Sequence, residues 1–280
     1  MTRDIQIDIG VGRRQLNLAW QPCYTLYPVP DDRHRRKPMN PIIITASTPF
    51  ELSQLVHDLS AVPFAGAGHL VCFRGLAGAR EVLLAQTGIG KVNAACAATL
   101  LLERFTPKLL INTGCGGAVA GSGQQLGDLA IASGESFPDE GVETPQGWQG
   151  LDLIGIPVFQ GRGEPVFNQV PLSGELAADA LGCARELGFR AELGPFHTVS
   201  TCSGTAGRGA ELVRRYPGIC ENMEGGAVAQ VALIYGIPFL EVRGISNMVE
   251  DRDLSRWELK RAVSEVQRFL LSYLEVSCHA

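Results

Sequence analysis

Residues 109–117 read Leu-Leu-Ile-Asn-Thr-Gly-Cys-Gly-Gly, a short apolar run that leads directly into a glycine cluster. An apolar run of this length is typical of a buried β-strand, and we expect the strand to end at Gly114. The preceding segment, 92–105, is rich in Ala and Leu and stops before Pro107, which indicates a helix. The stretch therefore predicts a helix, then a buried strand, then a glycine turn at the end of that strand.

The same alternation extends outward from this stretch, from Pro41 to the end of the chain. The predicted strands are 42–45, 70–75, 81–86, 109–111, 129–132 and 239–242, and the predicted helices are 51–60, 92–105, 173–188, 224–235 and 259–273. We expect Ser173 to cap the third helix and Gly236 to end the fourth. This alternation predicts an α/β protein in which helices cover a mostly parallel or mixed sheet, with the site in loops at the strand ends.

Composition restricts the classes of function. The 280-residue chain has 45% hydrophobic residues and a net charge of −5, without a basic stripe, which disfavours nucleic-acid binding. Its most apolar stretch, 227–242, is too short and too interrupted to span a membrane, and no secretory signal is visible. The eight Cys are spread singly, without a CxxC pair. We therefore expect a cytoplasmic protein with reduced thiols and neither a metal nor a cofactor.

The first 40 residues differ from the rest of the chain. Residues 31–38, Asp-Asp-Arg-His-Arg-Arg-Lys-Pro, form a charge run that ends in a proline, and periodicity before them is weak. We expect residues 1–40 to be a poorly ordered extension and residues 41–280 to form one domain. Because Met39 directly precedes the first strong strand, one hypothesis is that Met39 is the true start.

Two glycine clusters follow strands and precede helices, but neither matches a common nucleotide-binding template. The segment 88–93, Gly-Ile-Gly-Lys-Val-Asn, lacks the last glycine of a dinucleotide fingerprint and the Ser or Thr of a P-loop. The segment 114–119, Gly-Cys-Gly-Gly-Ala-Val, lacks the last glycine as well. Tight packing between a strand and a helix is an equally good explanation of either cluster alone.

Taken together, the two clusters resemble those of methylthioadenosine/S-adenosylhomocysteine nucleosidases and the related purine nucleoside phosphorylases, and Gly127-Asp128 before the next strand also fits. The resemblance implies a three-layer α/β/α fold with a central mixed β-sheet, of the phosphorylase/hydrolase type. It also implies that main-chain N–H groups at Gly114, Gly116 and Gly117 lie beside the ribose and base of a nucleoside.

A second block, 221–228, Glu-Asn-Met-Glu-Gly-Gly-Ala-Val, resembles the MEGxA motif of the same superfamily. By this resemblance, Glu224 accepts hydrogen bonds from the ribose hydroxyls and Met223 packs against the sugar. Cleavage of an N-glycosidic bond passes through an oxocarbenium-like sugar, which a carboxylate held against the sugar stabilises. The alternative interpretation is that Glu224 is an acidic residue that only stabilises a helix N-terminus.

A third block, 242–249, resembles the base-recognition segment of these enzymes and places Ser246 and Asn247 in the site. Adenine-specific nucleosidases have an aspartate at the position of Asn247, which donates a proton towards the leaving base. A carboxamide can donate and accept hydrogen bonds but is not a general acid at neutral pH. An Asn here resembles readers of 6-oxopurines, which implies hypoxanthine; the alternative is an Asn that ends a strand and forms a turn.

Whether the attacking group is water or phosphate depends on the residues around the first helix and the Gly88 cluster. Hexameric phosphorylases have a serine where this chain has Asn93, and segment 81–86 carries no arginine. Glu51, just after the first strand, best matches the glutamate that activates water in the nucleosidases. The resemblance thus favours hydrolysis with Glu51 as the base, the alternative being a first-turn glutamate that favours the helix dipole.

Segments 48–51, 140–148 and 245–257 are further similar to the futalosine hydrolase family, in which an inosine derivative is hydrolysed to hypoxanthine and dehypoxanthinylfutalosine during menaquinone biosynthesis. The resemblance implies a small nucleoside as ligand and a homo-oligomer. Three alternatives stay open: a purine nucleoside phosphorylase, a methylthioadenosine or aminodeoxyfutalosine nucleosidase, and a non-catalytic nucleoside-binding protein. Retention of both Glu51 and Glu224 argues against the last.

Overall fold

The computed structural model describes residues 40–65, 68, 70–161 and 163–277. The predicted extension 1–40, apart from Asn40, and the proposed start at Met39 lie outside these residues. Within the described part, no helix combines the length and the apolar character needed to cross a membrane.

The domain is built on a ten-stranded sheet in the order β11-β10-β6-β12-β5-β1-β4-β3-β2, with β9 beside β6. Its strands are β1 (Ile42–Ala46), β2 (Val62–Ala65), β3 (Val71–Ala77), β4 (Arg80–Gln86), β5 (Leu109–Ala118), β6 (Leu129–Ser136), β9 (Gln169–Pro171), β10 (Ala191–Thr198), β11 (Cys220–Asn222) and β12 (Phe239–Met248). A separate hairpin consists of β7 (Val142–Thr144) and β8 (Gly147–Gln149).

The sheet is mixed, as the sequence predicts. Strand β1 runs parallel to β4 and β5, and β12 runs parallel to β5. On its other side β12 is antiparallel to β6, while β6 is parallel to β10. The β2-β3-β4 edge is an antiparallel meander. Strand β12 therefore joins the two halves of the sheet, and its carboxyl end points the same way as that of β5.

In the described part of the chain, six helices cover the sheet: α1 (Ser53–Asp58), α2 (Lys91–Arg104), α3 (Gly174–Glu186), α4 (Ala206–Arg215), α5 (Gly225–Tyr235) and α6 (Leu259–Ser277). Buried side chains of α1, α3 and α6 form one hydrophobic cluster with the sheet, and those of α2 and α5 form another. The two clusters use alternate residues of the strands, Ile42 and Ile44 in the first and Ile43 in the second. Since alternate side chains of a strand point to opposite faces, the helices lie on both faces and the three-layer α/β/α prediction is confirmed.

Most predicted elements exist, with different ends. Ser173 caps α3 by accepting from the N–H of Leu176, and Gly236 ends α5 in the left-handed conformation. The expectation that the strand from Leu109 ends at Gly114 is wrong, because β5 continues to Ala118. Predicted strand 239–242 likewise continues to Met248. Both extensions exist because β5 and β12 pair with each other through the glycine-rich segment.

Candidate active site

Glu51 lies directly after β1, in a 3-10 helix at Phe50–Leu52 that leads into α1. Its carboxylate is buried and accepts four hydrogen bonds. Oε2 accepts from Ser47 Oγ at 2.6 Å, from the Thr48 N–H at 2.9 Å and from Thr48 Oγ1 at 2.8 Å, and Oε1 accepts from the Cys115 N–H at 3.0 Å. These bonds hold Glu51 against the glycine-rich half of β5. The four bonds fix the orientation of the carboxylate. A glutamate that only favours the helix dipole from the surface would not require them.

Glu224 precedes the first residue of α5 and is also buried. Its Oε1 accepts a 2.9 Å hydrogen bond from the N–H of Gly90, in the first glycine cluster. Its Oε2 lies 3.6 Å from Nη1 of Arg243. Burial raises the pKa of the Glu224 carboxyl, while Arg243 and the Gly90 N–H offset part of that rise.

Arg243 on β12 lies between the two glutamates and is 1% exposed. Its Nε donates to Glu241 at 2.9 Å, and its Nη2 donates to Asn112 and, at 3.3 Å, to Asn222. Burial alone would lower the pKa of this guanidinium, but the carboxylates of Glu241, Glu224 and Glu51 outweigh burial and raise it. Arg243 is therefore a permanent cation that balances part of the negative charge of the site.

Neighbouring groups approach the main chain of β5 so closely at three glycines that a side chain would not fit there. Gly114 has φ +143, and a Cβ there would overlap the Glu51 carboxylate and lie 3.0 Å from Nη1 of Arg243. A Cβ on Gly116 would overlap Sγ of Cys220, and one on Gly117 would lie 3.0 Å from Nδ2 of Asn247. The three glycines predicted from the sequence as ligand-binding thus line one strand that contacts Glu51, Arg243 and Asn247, rather than a turn.

Asn247 and Ser246 lie at the carboxyl end of β12, where its register with β5 shifts between Ile245 and Asn247. Ser246 Oγ lies 2.9 Å from Oδ1 of Asn247 and 3.2 Å from the Gly116 carbonyl. Nδ2 of Asn247 donates to the Met248 carbonyl at 3.1 Å. The partially exposed amide borders a small cavity of about 30 Å³ that Ser203, Arg252 and Trp257 also line.

Met223 is half-buried next to Glu224, and its Sδ lies 3.1 Å from Sγ of Cys202. Cys202 is exposed. Cys115 is half-buried, and burial followed by the charge of Glu51 raises its pKa to about 12. A thiol with so high a pKa is protonated at neutral pH and is a poor nucleophile.

Lys91 is the cation of the first glycine cluster, and it is already paired. Its Nζ lies 2.8 Å from both Asp139 and Glu140, and it also lies over the ring of Phe137. Strand β4 begins with Arg80, but this residue is at the opposite end of the strand from Gly88. Lys91 is thus held by two carboxylates rather than left to receive a phosphate.

Trp148 and Trp257 lie in different surroundings. Trp148, on the β7-β8 hairpin, packs edge-to-face on Tyr216 and under the guanidinium of Arg215. Trp257 packs under Arg252 at the cavity beside Asn247, next to the candidate site. Buried His197 contacts the Tyr216 carbonyl, and burial lowers its pKa.

The structure brings Glu51, Glu224, Gly114 and Asn247 to neighbouring positions around β5 and β12, as the resemblance implies. Sequence reasoning missed Arg243, Glu241 and Asn222, which hold these groups. A signal was present, since Glu241 and Arg243 are charged residues two positions apart in an apolar strand and must lie on the same face. No cluster of three or more metal-ligating side chains occurs in the described ranges.

Comparison with known proteins agrees with this geometry. Residues 41–275 match the phosphorylase superfamily. The futalosine hydrolase of Thermus thermophilus is 34% identical over 210 residues, which are 75% of this chain and 86% of that protein. A 5'-methylthioadenosine/S-adenosylhomocysteine nucleosidase of Maridesulfovibrio salexigens is 30% identical over 241 residues, 83% of this chain and 97% of that protein.

A solved structure of futalosine hydrolase from Helicobacter pylori superposes with a TM-score of 0.73 at 20% identity, covering 85% of this chain and 98% of that one. At this identity the superposition establishes the fold alone. The family match extends over the whole of the sheet and over its helices up to residue 275, within α6, and includes every site residue described above. The chain belongs to the phosphorylase superfamily.

Proposed function

We propose that this chain is a nucleosidase that hydrolyses the N-glycosidic bond of futalosine, releasing hypoxanthine and dehypoxanthinylfutalosine for menaquinone biosynthesis. The observation that carries the proposal is the arrangement of two buried carboxylates around Arg243, with an amide, Asn247, at the base-recognition position. The futalosine hydrolase and the nucleosidase that are similar to this chain are N-glycosyl hydrolases, which supports hydrolysis as the reaction.

In the proposed mechanism Glu224 faces the ribose. Its carboxylate accepts hydrogen bonds from the sugar hydroxyls and stabilises the positive charge that develops as the base departs. Arg243 and the Gly90 N–H hold the carboxylate in place. Burial, which raises the pKa of Glu224, also leaves its ionised form less well solvated, so that form interacts more strongly with a nearby cation.

Glu51 acts on the water. Its carboxylate is oriented by Ser47, Thr48 and the Cys115 N–H before any substrate binds. It orients a water molecule towards the anomeric carbon and accepts its proton, a general-base contribution of about 10²- to 10⁴-fold. The pairing of Lys91 with Asp139 and Glu140 supports water rather than phosphate as the attacking group, because phosphorolysis requires cationic donors around the anion.

Asn247 binds the leaving base. Its NH2 group can donate to N7 and O6 of hypoxanthine, and Ser246, Gly116 and Gly117 set the position of the amide. One N–H of this group donates to the Met248 carbonyl, so the other can donate to the base, and donation to both N7 and O6 by separate hydrogens requires that the Met248 bond be given up. We further propose that the protein is a homo-oligomer, as the resemblance implies.

A methylthioadenosine/S-adenosylhomocysteine nucleosidase is the second candidate. One observation favours it: the nucleosidase relative is covered more completely than the futalosine hydrolase relative, 97% against 86%. Asn is also chemically able to bind adenine through N6 and N7. Against it stands the lack of a general acid at position 247 to protonate a departing adenine.

The test is purified protein with futalosine, methylthioadenosine and inosine, each with and without phosphate, with the free base followed by chromatography. Hypoxanthine release from futalosine without phosphate is the expected result. Adenine release from methylthioadenosine at a higher kcat/KM would replace futalosine by the second candidate. Release that requires phosphate would make the protein a phosphorylase and remove the role of Glu51.

A further inference from the structure

Two buried carboxyl groups lie near each other in the sheet, and one of them holds Arg243. Glu135 on β6 is 1% exposed and Glu241 on β12 is 0% exposed. Glu241 accepts from Nε of Arg243, and its charge is close enough to Glu135 to raise the pKa of that group. Two neighbouring negative charges in the protein interior are strongly unfavourable. One of the two groups therefore carries a proton.

The hydrogen bonds of Glu241 indicate that this proton is on Glu135. Oε1 of Glu241 accepts from Nε of Arg243 at 2.9 Å, whereas its Oε2 meets no N–H or O–H donor within the described ranges. A buried carboxylate oxygen without a donor is costly, and the carboxyl proton of Glu135 supplies one. Burial, followed by the charge of Glu241, raises the pKa of Glu135 well above its ordinary value.

Glu135 also holds the main chain at the start of α5. Its Oε1 accepts from Nδ2 of Asn222 at 2.9 Å, and its Oε2 accepts from Oγ1 of Thr198 at 2.9 Å. Oδ1 of Asn222 in turn accepts from the N–H groups of Glu224 at 2.9 Å and Gly225 at 2.7 Å. Glu135 is thus two hydrogen bonds away from the backbone of Glu224.

We propose that Glu135 is a positioning residue for Glu224: as a neutral acid it orients Asn222, which fixes the main chain at Glu224, and it completes the hydrogen bonding of Glu241, which holds Arg243. This inference rests on the role of Glu224 in the proposed function. The two connections reach Glu224 from different sides, one through its backbone and one through the partner of its carboxylate.

Ionisation of Glu135 would weaken both connections to Glu224, the one through Asn222 and the one through Glu241 and Arg243. The titratable and charged groups that face this cluster are Glu241 and Arg243 from β12, Cys220 from β11 and Glu224 at the start of α5, while β10 contributes the hydroxyl of Thr198. Cys220 is neutral because burial raises its pKa. An ionised Glu135 would therefore place a second negative charge beside Glu241 and draw Arg243 away from Glu224.

The experiment compares Glu135→Gln and Glu135→Ala with the wild type. Gln keeps the shape and the neutral state, and its NH2 group donates to Glu241 in place of the carboxyl proton. Glu192→Gln, at a half-buried glutamate on the neighbouring strand β10, is the matched control. Initial rates of base release from futalosine and methylthioadenosine give kcat and KM, and infrared spectra at neutral pH record the C=O stretch of a protonated carboxyl group.

We expect Glu135→Ala to lower kcat about 10- to 100-fold with a smaller change in KM, because Glu224 is misplaced rather than removed. Glu135→Gln restores most of this loss, and Glu192→Gln leaves the kinetics unchanged. The protonated-carboxyl band is present in the wild type and missing in Glu135→Gln. An unchanged kcat in the alanine variant, or a glutamine variant as impaired as alanine, overturns the inference.

The infrared result is decisive even if Glu135→Ala does not fold. A wild-type spectrum without a band that Glu135→Gln removes would show that Glu135 is ionised, and the inference would fail. The proposed function fails separately, if the wild type releases a base from neither nucleoside. The infrared measurement needs no turnover, so the two failures are distinguishable.

Discussion

The N–H of Gly90 donates a 2.9 Å hydrogen bond to Oε1 of Glu224. This bond joins the first glycine cluster, which matches no nucleotide-binding template, to the carboxylate at the start of α5. Gly90 has φ +90 and precedes the first residue of α2, so its N–H can point out of the helix end towards Glu224. The glycine cluster therefore binds the side chain of Glu224 and also leads into helix α2.

Replacement of Glu224 by Ala removes the carboxylate that faces the sugar in the proposed mechanism. We expect kcat for base release to fall about 10²- to 10³-fold, the loss typical of one group that stabilises developing charge. Glu224→Gln separates charge from shape, because the amide oxygen can still accept from Gly90. A glutamine variant with wild-type kcat would show that the negative charge is not required.

Replacement of Asn247 by Asp introduces a group that can carry a proton to the departing base. We expect the ratio of kcat/KM for methylthioadenosine to that for futalosine to rise about tenfold or more, a change of about 1.4 kcal/mol in relative transition-state binding. Asn40→Asp, at an exposed asparagine before β1, is the control with the same change of charge. A ratio that does not move would separate Asn247 from base recognition.

The pH dependence of base release follows from the raised pKa of Glu224. A raised pKa means that the carboxyl group stays protonated to a higher pH than an ordinary glutamate, chiefly because it is buried. Since the proposed mechanism requires the ionised form, kcat/KM should increase with pH through this raised pKa. A profile of kcat/KM against pH measures it in the free enzyme. Full activity already below the ordinary pKa of glutamate would contradict the assignment.

Replacement of Gly114 by Ala tests the close approach around β5. The new methyl group would overlap the Glu51 carboxylate and force a φ that L residues rarely adopt. We expect a loss of about 1–3 kcal/mol in the free energy of unfolding, together with reduced kcat. Denaturant unfolding and base release measure the two effects.

Gly182→Ala is the control for that variant, since Gly182 lies in the exposed interior of α3 with open space around it. There alanine should stabilise the helix by up to about 1 kcal/mol. Equal effects of the two substitutions would show that Gly114 is not specially constrained.

The α/β class and the helix-covered sheet could be predicted because they follow from local periodicity, whereas the three layers and the central mixed sheet were implied by the resemblance. Ala and Leu at helical spacing in 92–105 gave α2, and the isoleucines after Pro41 gave β1. The glycine-rich half of β5 could not be predicted as a strand, because Gly114 to Gly117 have little strand propensity of their own. They are extended because β12 pairs with them residue by residue.

Candidate site residues could be proposed from the sequence where each lies in a motif of its own. Residues that act together in a buried network could not. Glu51, Glu224 and Asn247 each lie in a recognisable motif. Arg243 and Glu135 come from different strands, β12 and β6, and only their packing in the sheet shows that a single buried network connects them to Glu224. Strands β10 and β11, which were not predicted, carry Thr198 and Asn222 of the same network.

The four hydrogen bonds to Glu51 decide which of its oxygens can take a proton. A carboxylate offers about four lone-pair directions, two on each oxygen. Oε2 already accepts from Ser47 Oγ and from the N–H and Oγ1 of Thr48, whereas Oε1, among the residues that the structure describes, accepts only from Cys115. In the proposed mechanism the attacking water therefore delivers its proton to Oε1, the oxygen that lies beside the glycines of β5.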